Sequence, residues 1–243
     1  MLKNLNQVKP YSSAGSKKSQ VEDMFDNIAP RYDLLNHVLS LKIDVLWRRL
    51  LVHMMAAGRP QRVLDVATGT GDLAIAIHRG TGAQVTGLDL SQQMLNVGTE
   101  KIKNAGLSTG IRMMKGDAEN LPFQDDTFDA VSVAFGVRNF ENLEMGLREM
   151  RRVVKPGGSV FILEFSQVEG ILRPLYQFYF KNILPRIGRL VSRDNRAYTY
   201  LPDSVNAFPY GDAMKKILLA QGYSKVDYKK LSLGIATIYK ATK

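Results

Sequence analysis

From Arg62 onward, short apolar runs alternate with helical periodicity, and the first three of those runs each deliver an aspartate: Asp65, Asp89 and Asp117. Alternation of this kind specifies a parallel sheet with helices on its faces. In such a sheet all strands end on one edge, and ligands bind there, beside the point where the strand order reverses. Three carboxylates are therefore expected along one binding edge.

The spacing predicts strands over 62–66, 84–88, 111–116, 128–133 and 159–165, the last preceded by a turn at Lys155-Pro156-Gly157-Gly158. Helices are predicted from Asp72, from Ser91 as an N-cap to about Asn104, and over 143–153. After a helix from Asp212, two strands over 225–231 and 235–240 are separated only by Ser232-Leu233-Gly234, which implies a hairpin. Residues 21–55 read as a helical lid and 167–209 as an insertion, within one domain spanning 21–243. Residues 1–20, polar and basic, read as a flexible tail.

The absence of cysteine in 243 residues removes disulfides, thiolate nucleophiles and cysteine-ligated zinc. The three histidines, His37, His53 and His78, lack metal-ligand spacing, so no metal is expected. The N-terminus lacks the apolar core of a signal peptide, and no run is long enough to span a bilayer, so a cytoplasmic location is expected. The formal charge of +10 is concentrated in 173–196, where Arg173, Lys181, Arg186, Arg189, Arg193 and Arg196 face one acid, Asp194. Interleaved with Tyr176, Phe178, Tyr179 and Phe180, this stretch suits either packing on the domain or a peripheral contact with an anionic membrane.

Within Asp65-Val66-Ala67-Thr68-Gly69-Thr70-Gly71, the glycines allow a ligand to approach the backbone. Asp89 is placed to accept from ribose hydroxyls, and Asp117 from an exocyclic amine, with the Ala118 N–H donating to a ring nitrogen. Leu90 and Met94 offer an apolar face for a base. The run Gly69 to Ala74 also satisfies the G-x-G-x-x-A dinucleotide pattern. Against that reading, Asp65 replaces a buried apolar residue, and Asp72 places a carboxylate where a pyrophosphate needs helix N–H groups. S-adenosylmethionine carries no phosphate and has a cationic end, so these residues favour it.

Val63-Leu64-Asp65 through Gly71, with Asp89, Asp117, Asn120-Leu121-Pro122-Phe123 and Val153-Val154-Lys155-Pro156-Gly157-Gly158, resembles class I methyltransferases. That resemblance implies a Rossmann-like, seven-stranded α/β sheet with the last strand antiparallel. Two further segments, 152–166 and Tyr32-Asp33-Leu34-Leu35-Asn36 with Ser40 and Trp47, resemble the signatures of the ubiquinone/menaquinone biosynthesis C-methyltransferases. Phe135-Gly136-Val137-Arg138-Asn139 and Leu184-Pro185-Arg186-Ile187-Gly188 agree with them. The sequence departs at Leu35, where the family often has Met, at Asp44, where it has His, and at Ala134, where a cofactor-contacting Ser is common. Asp44 is thus not expected to be an essential base.

This resemblance implies a polyprenyl quinol as acceptor, with demethylmenaquinol converted to menaquinol. The cofactor contacts expected are Asp65, Thr68, Gly69, Thr70, Gly71, Asp89, Leu90, Met94, Asp117, Ala118 and Ala134. An aromatic carbon becomes nucleophilic when a neighbouring hydroxyl loses its proton, so the site needs a base or a cation there. Arg138 is the candidate cation, Asn139 the candidate orienter of the ring oxygen, and Tyr32 and Asp33 the candidates for proton relay or ring positioning; His37 is an outside candidate base. RNA methylation, the alternative for a basic methyltransferase, would call for an RNA-binding module, and none is visible.

Overall fold

The computed structural model describes residues 5, 8–11, 15–34, 42–168 and 197–243, with side chains described from Tyr200 onward in the last segment. The first-lid motif residues Leu35, Asn36, His37 and Ser40, the 184–188 motif and the basic run 173–196 lie outside the described residues.

The strands are β1 (Arg62–Val66), β2 (Gln84–Asp89), β3 (Ile111–Lys115), β4 (Phe128–Ala134), β5 (Val154–Phe165), β6 (Lys225–Leu231) and β7 (Ala236–Thr242). They form a single sheet of order β3-β2-β1-β4-β5-β7-β6, parallel except for β7. The β6–β7 hairpin follows the expectation, closed by a 3-10 turn at Ser232–Gly234. Strand order reverses between β1 and β4, so the crevice opens where Val66 and Val133 end in register.

The central strands are apolar nearly throughout because both faces are covered. On one face Leu64, Val66, Val131, Val133, Val160 and Ile162 pack with Leu147 and Met150 of α5 (Leu143–Val153) and Met214 and Leu218 of α7 (Asp212–Ala220). On the other, Val63, Val85, Phe161 and Leu163 pack with Leu51 and Met55 of α2 (Ile43–Ala56) and Ile77 of α3 (Asp72–Thr81). Among the described residues, α4 (Gln92–Asn104), N-capped by Ser91 Oγ as the sequence predicts, packs on β2 and β3, and α6 (Ala197–Ala207) lies against the turn after β4. Among the described residues no helix is long and apolar enough to cross a membrane.

Two boundaries differ from the sequence reading. The Lys155–Gly158 turn lies inside β5: Phe128 pairs with Val154 and Ala130 with Ser159, so the intervening residues bulge, with Gly157 at φ +76°. Helix α1 (Lys17–Ile28) starts within the expected tail, N-capped by Ser16, and Leu5, Val8, Lys17 and Gln20 are buried. Lys17 is packed because it has a partner to pack on, the loop after β4.

The bulge is held by the last residue of the chain. Lys243 exchanges backbone hydrogen bonds with Gly157 and Gly158, and its ammonium donates to Asp126 Oδ1 (2.5 Å), Val154 O (2.9 Å) and Arg152 O (3.1 Å). Three donors with three acceptors leave nothing unsatisfied. Replacing Lys243→Ala is expected to lower unfolding free energy by about 1–2 kcal/mol, read by urea denaturation. An unchanged midpoint would show that the bulge holds itself.

Candidate functional site

Every feature of the binding edge starts from the end of β1. Asp65 is buried there and turns inward: Oδ2 accepts from Thr68 Oγ1 (2.6 Å) and Oδ1 from Ser132 Oγ (2.7 Å), its register partner on β4. Burial raises its pKa to about 6 despite both hydroxyls. The chain then bends through left-handed residues, Ala67 (φ +50°), Gly69 (φ +57°) and Gly71 (φ +80°). Asp65, Thr68, Thr70 and Gly71, expected as cofactor contacts, do not line the cleft; they build the loop behind it. Ala67 and Gly69 are the parts of that loop on the wall.

The cleft, with about 700 Å³ of empty space, is lined at one end by Leu88, Asp89, Leu90, Met94, Asp117 and Ala118. Asp89 Oδ2 accepts from Gly69 N (2.8 Å) and Oδ1 from Ser91 N (2.9 Å), which fixes the carboxylate and the glycine loop together. Burial pushes its pKa up, with these N–H groups opposing. Helix α1 closes over this end. Lys18 reaches Asp117 (2.6 Å) and Glu119 (3.5 Å), Glu22 reaches Lys115 (2.7 Å), and Asp26 accepts from Ser91 Oγ (2.5 Å) and Gln93 N (3.1 Å). None of these lid contacts was named from the sequence, since each joins residues more than 60 positions apart.

The other end is formed by Phe25, Tyr32, Ala134, Phe135, Gly136, Asn139 and Phe140. Phe25 and Tyr32 meet edge to face at 6.0 Å. Phe135 sits at φ +57°, and a Cβ on Gly136 would stand 2.6 Å from that of Ala67, so the β4 and β1 loops touch with no room between them. Asn139 Oδ1 accepts from the buried Tyr200 hydroxyl (3.1 Å), leaving the amide N–H₂ as the donor on the wall. Tyr200 had no signal beyond being an aromatic residue near the insertion's end.

Arg138, the candidate cation, does not line the cleft. It is buried, its Nη1 donates to Glu164 Oε1 (2.9 Å) and to Phe135 O, and it lies over the Phe165 ring at 5.6 Å. A guanidinium buried this deeply needs a counter-charge, and Glu164 supplies it. Burial raises the Glu164 pKa while Arg138 opposes. Glu164 was overlooked, although a lone acid in the apolar run 160–165 is a legible signal. Beneath the same loop the buried Lys17 donates to Phe140 O (2.9 Å), Arg138 O (3.0 Å) and Leu5 O (3.3 Å), and burial lowers its pKa to about 8.

Asp33 also stays off the wall. It accepts from Thr70 Oγ1 and Lys101 Nζ, both at 2.5 Å; Lys101 continues to Asp72 (2.6 Å), Asp72 to Arg48 (3.2 Å), and Arg48 to Asp44. Alternating charges thus bind the segment before residue 35 to α2, α3 and α4, and Asp44 serves this chain of ion pairs.

The charges on the wall decide which cofactor fits. Among the described residues of the wall, five carboxylates, Glu22, Asp89, Asp117, Glu119 and Glu141, stand with one cation, Lys18. Such a wall repels phosphate and suits a cationic ligand with hydroxyl and amine donors. This site on a β3-β2-β1-β4-β5-β7-β6 sheet defines an S-adenosylmethionine-dependent methyltransferase. Residues 13–243 match the model of the ubiE/COQ5 methyltransferase family, and the chain belongs to that family. It is 49% identical over 238 residues to a demethylmenaquinone methyltransferase of Bacteroides fragilis, covering 97% of each chain. It is 44% identical over 239 residues to a demethylmenaquinone methyltransferase of Porphyromonas gingivalis, covering 97% of this chain and 98% of the other. Among solved structures, the [4+2]-cyclase SpnF superposes with a TM-score of 0.70 at 19% identity, over 93% of this chain and 96% of that one. That likeness concerns the fold alone.

Asp65 sets a measurable pH dependence. Its folded pKa, about 6, lies above the ordinary 3.8, so between those values the folded state holds a proton that the unfolded chain has lost. Stability from this group therefore falls as pH rises through that window, by about 3 kcal/mol in all. Asp65→Asn removes the dependence, so its stability relative to the unmodified protein is expected to rise between about pH 4 and about pH 7. Urea unfolding of both proteins at the two pH values checks this; a constant difference would mean Asp65 is not held in a raised state.

Proposed function

We propose that this chain methylates a ring carbon of a polyprenylated quinol, with demethylmenaquinol as the acceptor. The observation that carries the reading is the near full-length 49% identity to a protein named for that reaction. The cleft supports it. Its polar end has acceptors for a nucleoside, and its aromatic end, with Phe25, Tyr32, Phe135 and Phe140 around one amide, suits a flat ring with few polar groups.

In this reading Asp89 takes the ribose hydroxyls, Asp117 and the Ala118 N–H the base edge, and Leu90, Met94 and Ala134 its apolar surroundings. Gly69 keeps the backbone open beside them. S-adenosylmethionine supplies, when bound, a methyl group on a sulfonium, an electrophile that needs an electron-rich carbon. The reduced quinol provides that carbon and the quinone does not. Loss of the quinol hydroxyl proton raises ring electron density. The new C–C bond would form as the sulfonium C–S bond breaks to leave a neutral thioether, the ring proton then leaving to water and the phenolate oxygen regaining one to restore the quinol. Asn139 is the donor placed to stabilise the developing phenolate, held in orientation by Tyr200. Tyr32 packs the ring from the lid side. Arg138, neutralised by Glu164, acts as a positioning residue for the loop that carries Asn139.

Two experiments test this. Asp89→Ala is expected to weaken S-adenosylmethionine binding by about 1–3 kcal/mol, read by calorimetry; unchanged affinity would remove Asp89 from the site. Asn139→Ala is expected to lower kcat on demethylmenaquinol by about tenfold to a thousandfold, with cofactor affinity nearly unaltered. An unmodified protein that transfers no methyl group to demethylmenaquinol would overturn the proposal.

A further inference from the structure

The outer stripe of α2 carries Lys42, Leu46, Arg49 and His53 at helical spacing, all exposed. The helix's one acid, Asp44, is turned inward onto Arg48. Leu46 is 60% exposed. Beside this stripe stands the β6–β7 turn, joined to α2 by a hydrogen bond from Trp47 Nε1 to Ser232 Oγ (2.9 Å). At the tip of that turn Leu233 is 75% exposed, and Ser232 and Leu233 both hold positive φ, +46° and +60°. Left-handed backbone is costly for a branched side chain. Here that conformation holds a leucine out in water.

A third leucine, Leu34, is 58% exposed and follows Asp33, which the chain of ion pairs ties to Arg48 of the same helix. Scattered exposed leucines need no explanation, but three on linked elements do. The basic residues among them are Lys42, Arg49 and, two positions before Leu231, Lys229; the exposed Asp227 on β6 is paired with Lys225 (3.3 Å).

The place of this patch gives it meaning. Ala236, just past the turn, pairs with Phe165, and Leu163 pairs with Ala134, so the turn lies at the sheet edge where the cleft opens. Trp47 packs on Phe135, a residue of the cleft wall, at 6.1 Å. Trp47, which follows Leu46 in α2, thus backs the cleft wall. We propose that this patch is the face with which the protein settles on an anionic lipid bilayer, Leu46 and Leu233 entering the acyl boundary while Lys42 and Arg49 meet headgroup phosphates. The proposal rests on the quinol reading, since a polyprenylated acceptor resides in the bilayer and must pass from there to the cleft.

The test is flotation with vesicles of phosphatidylcholine alone or mixed with phosphatidylglycerol. The unmodified protein is expected to float with the anionic vesicles, less so at high salt. Leu46→Glu with Leu233→Glu, and separately Lys42→Glu with Arg49→Glu, are each expected to weaken that binding about tenfold or more. Leu233→Gly relieves the strained backbone, so it should unfold at the same or a higher temperature and still bind vesicles less well. The same variants should turn over a long-tailed quinol in vesicles more slowly, while a short-tailed, water-dispersed quinol is methylated at the unmodified rate. Failure of the unmodified protein to bind anionic vesicles would overturn the proposal, as would variants that bind equally well or slow on both quinols alike. Methylation of neither quinol by the unmodified protein would instead defeat the quinol reading, and vesicle binding would still judge the surface.

Discussion

The buried carboxylate of Asp65 is the constraint on which the binding edge depends. It joins β1 to β4 through Ser132 and the following loop to β1 through Thr68, at the point where the strand order reverses. With that loop fixed, Gly69 N donates to Asp89, which also accepts from Ser91 N at the start of α4. Burying an acid this way is unfavourable unless its oxygens are satisfied, and two hydroxyl donors do that without a neutralising cation. The result is a fixed loop that holds Gly69 and Asp89 in place on the cleft wall.

At the aromatic end of the cleft the same physical demand is met differently. The loop after β4 turns sharply at Phe135 and leaves backbone carbonyls pointing inward, and two buried cations answer them. Arg138 donates to Phe135 O and is balanced by Glu164; Lys17 donates to Arg138 O and Phe140 O. These groups lie behind the wall and set where Asn139 and Phe135 stand on it. The cations in this loop therefore stand behind the cleft, while Asn139 stands on its wall.

Much of this was legible beforehand. The strand and helix succession, the hairpin, the Ser91 cap and the placement of Asp89, Leu90, Met94, Asp117 and Ala118 along one edge follow from periodicity and turn chemistry. The expected site residues that stand off the cleft wall share one feature. Asp65, Thr68, Thr70, Asp33 and Arg138 carry polar side chains near a binding edge, and motif spacing cannot tell a side chain facing the cleft from one facing the core. Asp65, Asp33 and Arg138 find Ser132, Lys101 and Glu164, each 26 or more residues away in the chain.

The sequence by itself determined the architecture, because alternation of apolar strands and amphipathic helices admits few packings, and it favoured a cofactor without phosphate, because Asp65 and Asp72 put carboxylates where a pyrophosphate site has an apolar strand end and free helix N–H groups. Tertiary structure decided the inventory of the site. Only folding brings Lys18 over Asp117, seats Lys17 under the β4 loop, pairs Arg138 with Glu164 and turns Tyr200 onto Asn139. Those outcomes depend on which buried charge finds which partner, a competition between desolvation and long-range pairing that local sequence does not encode.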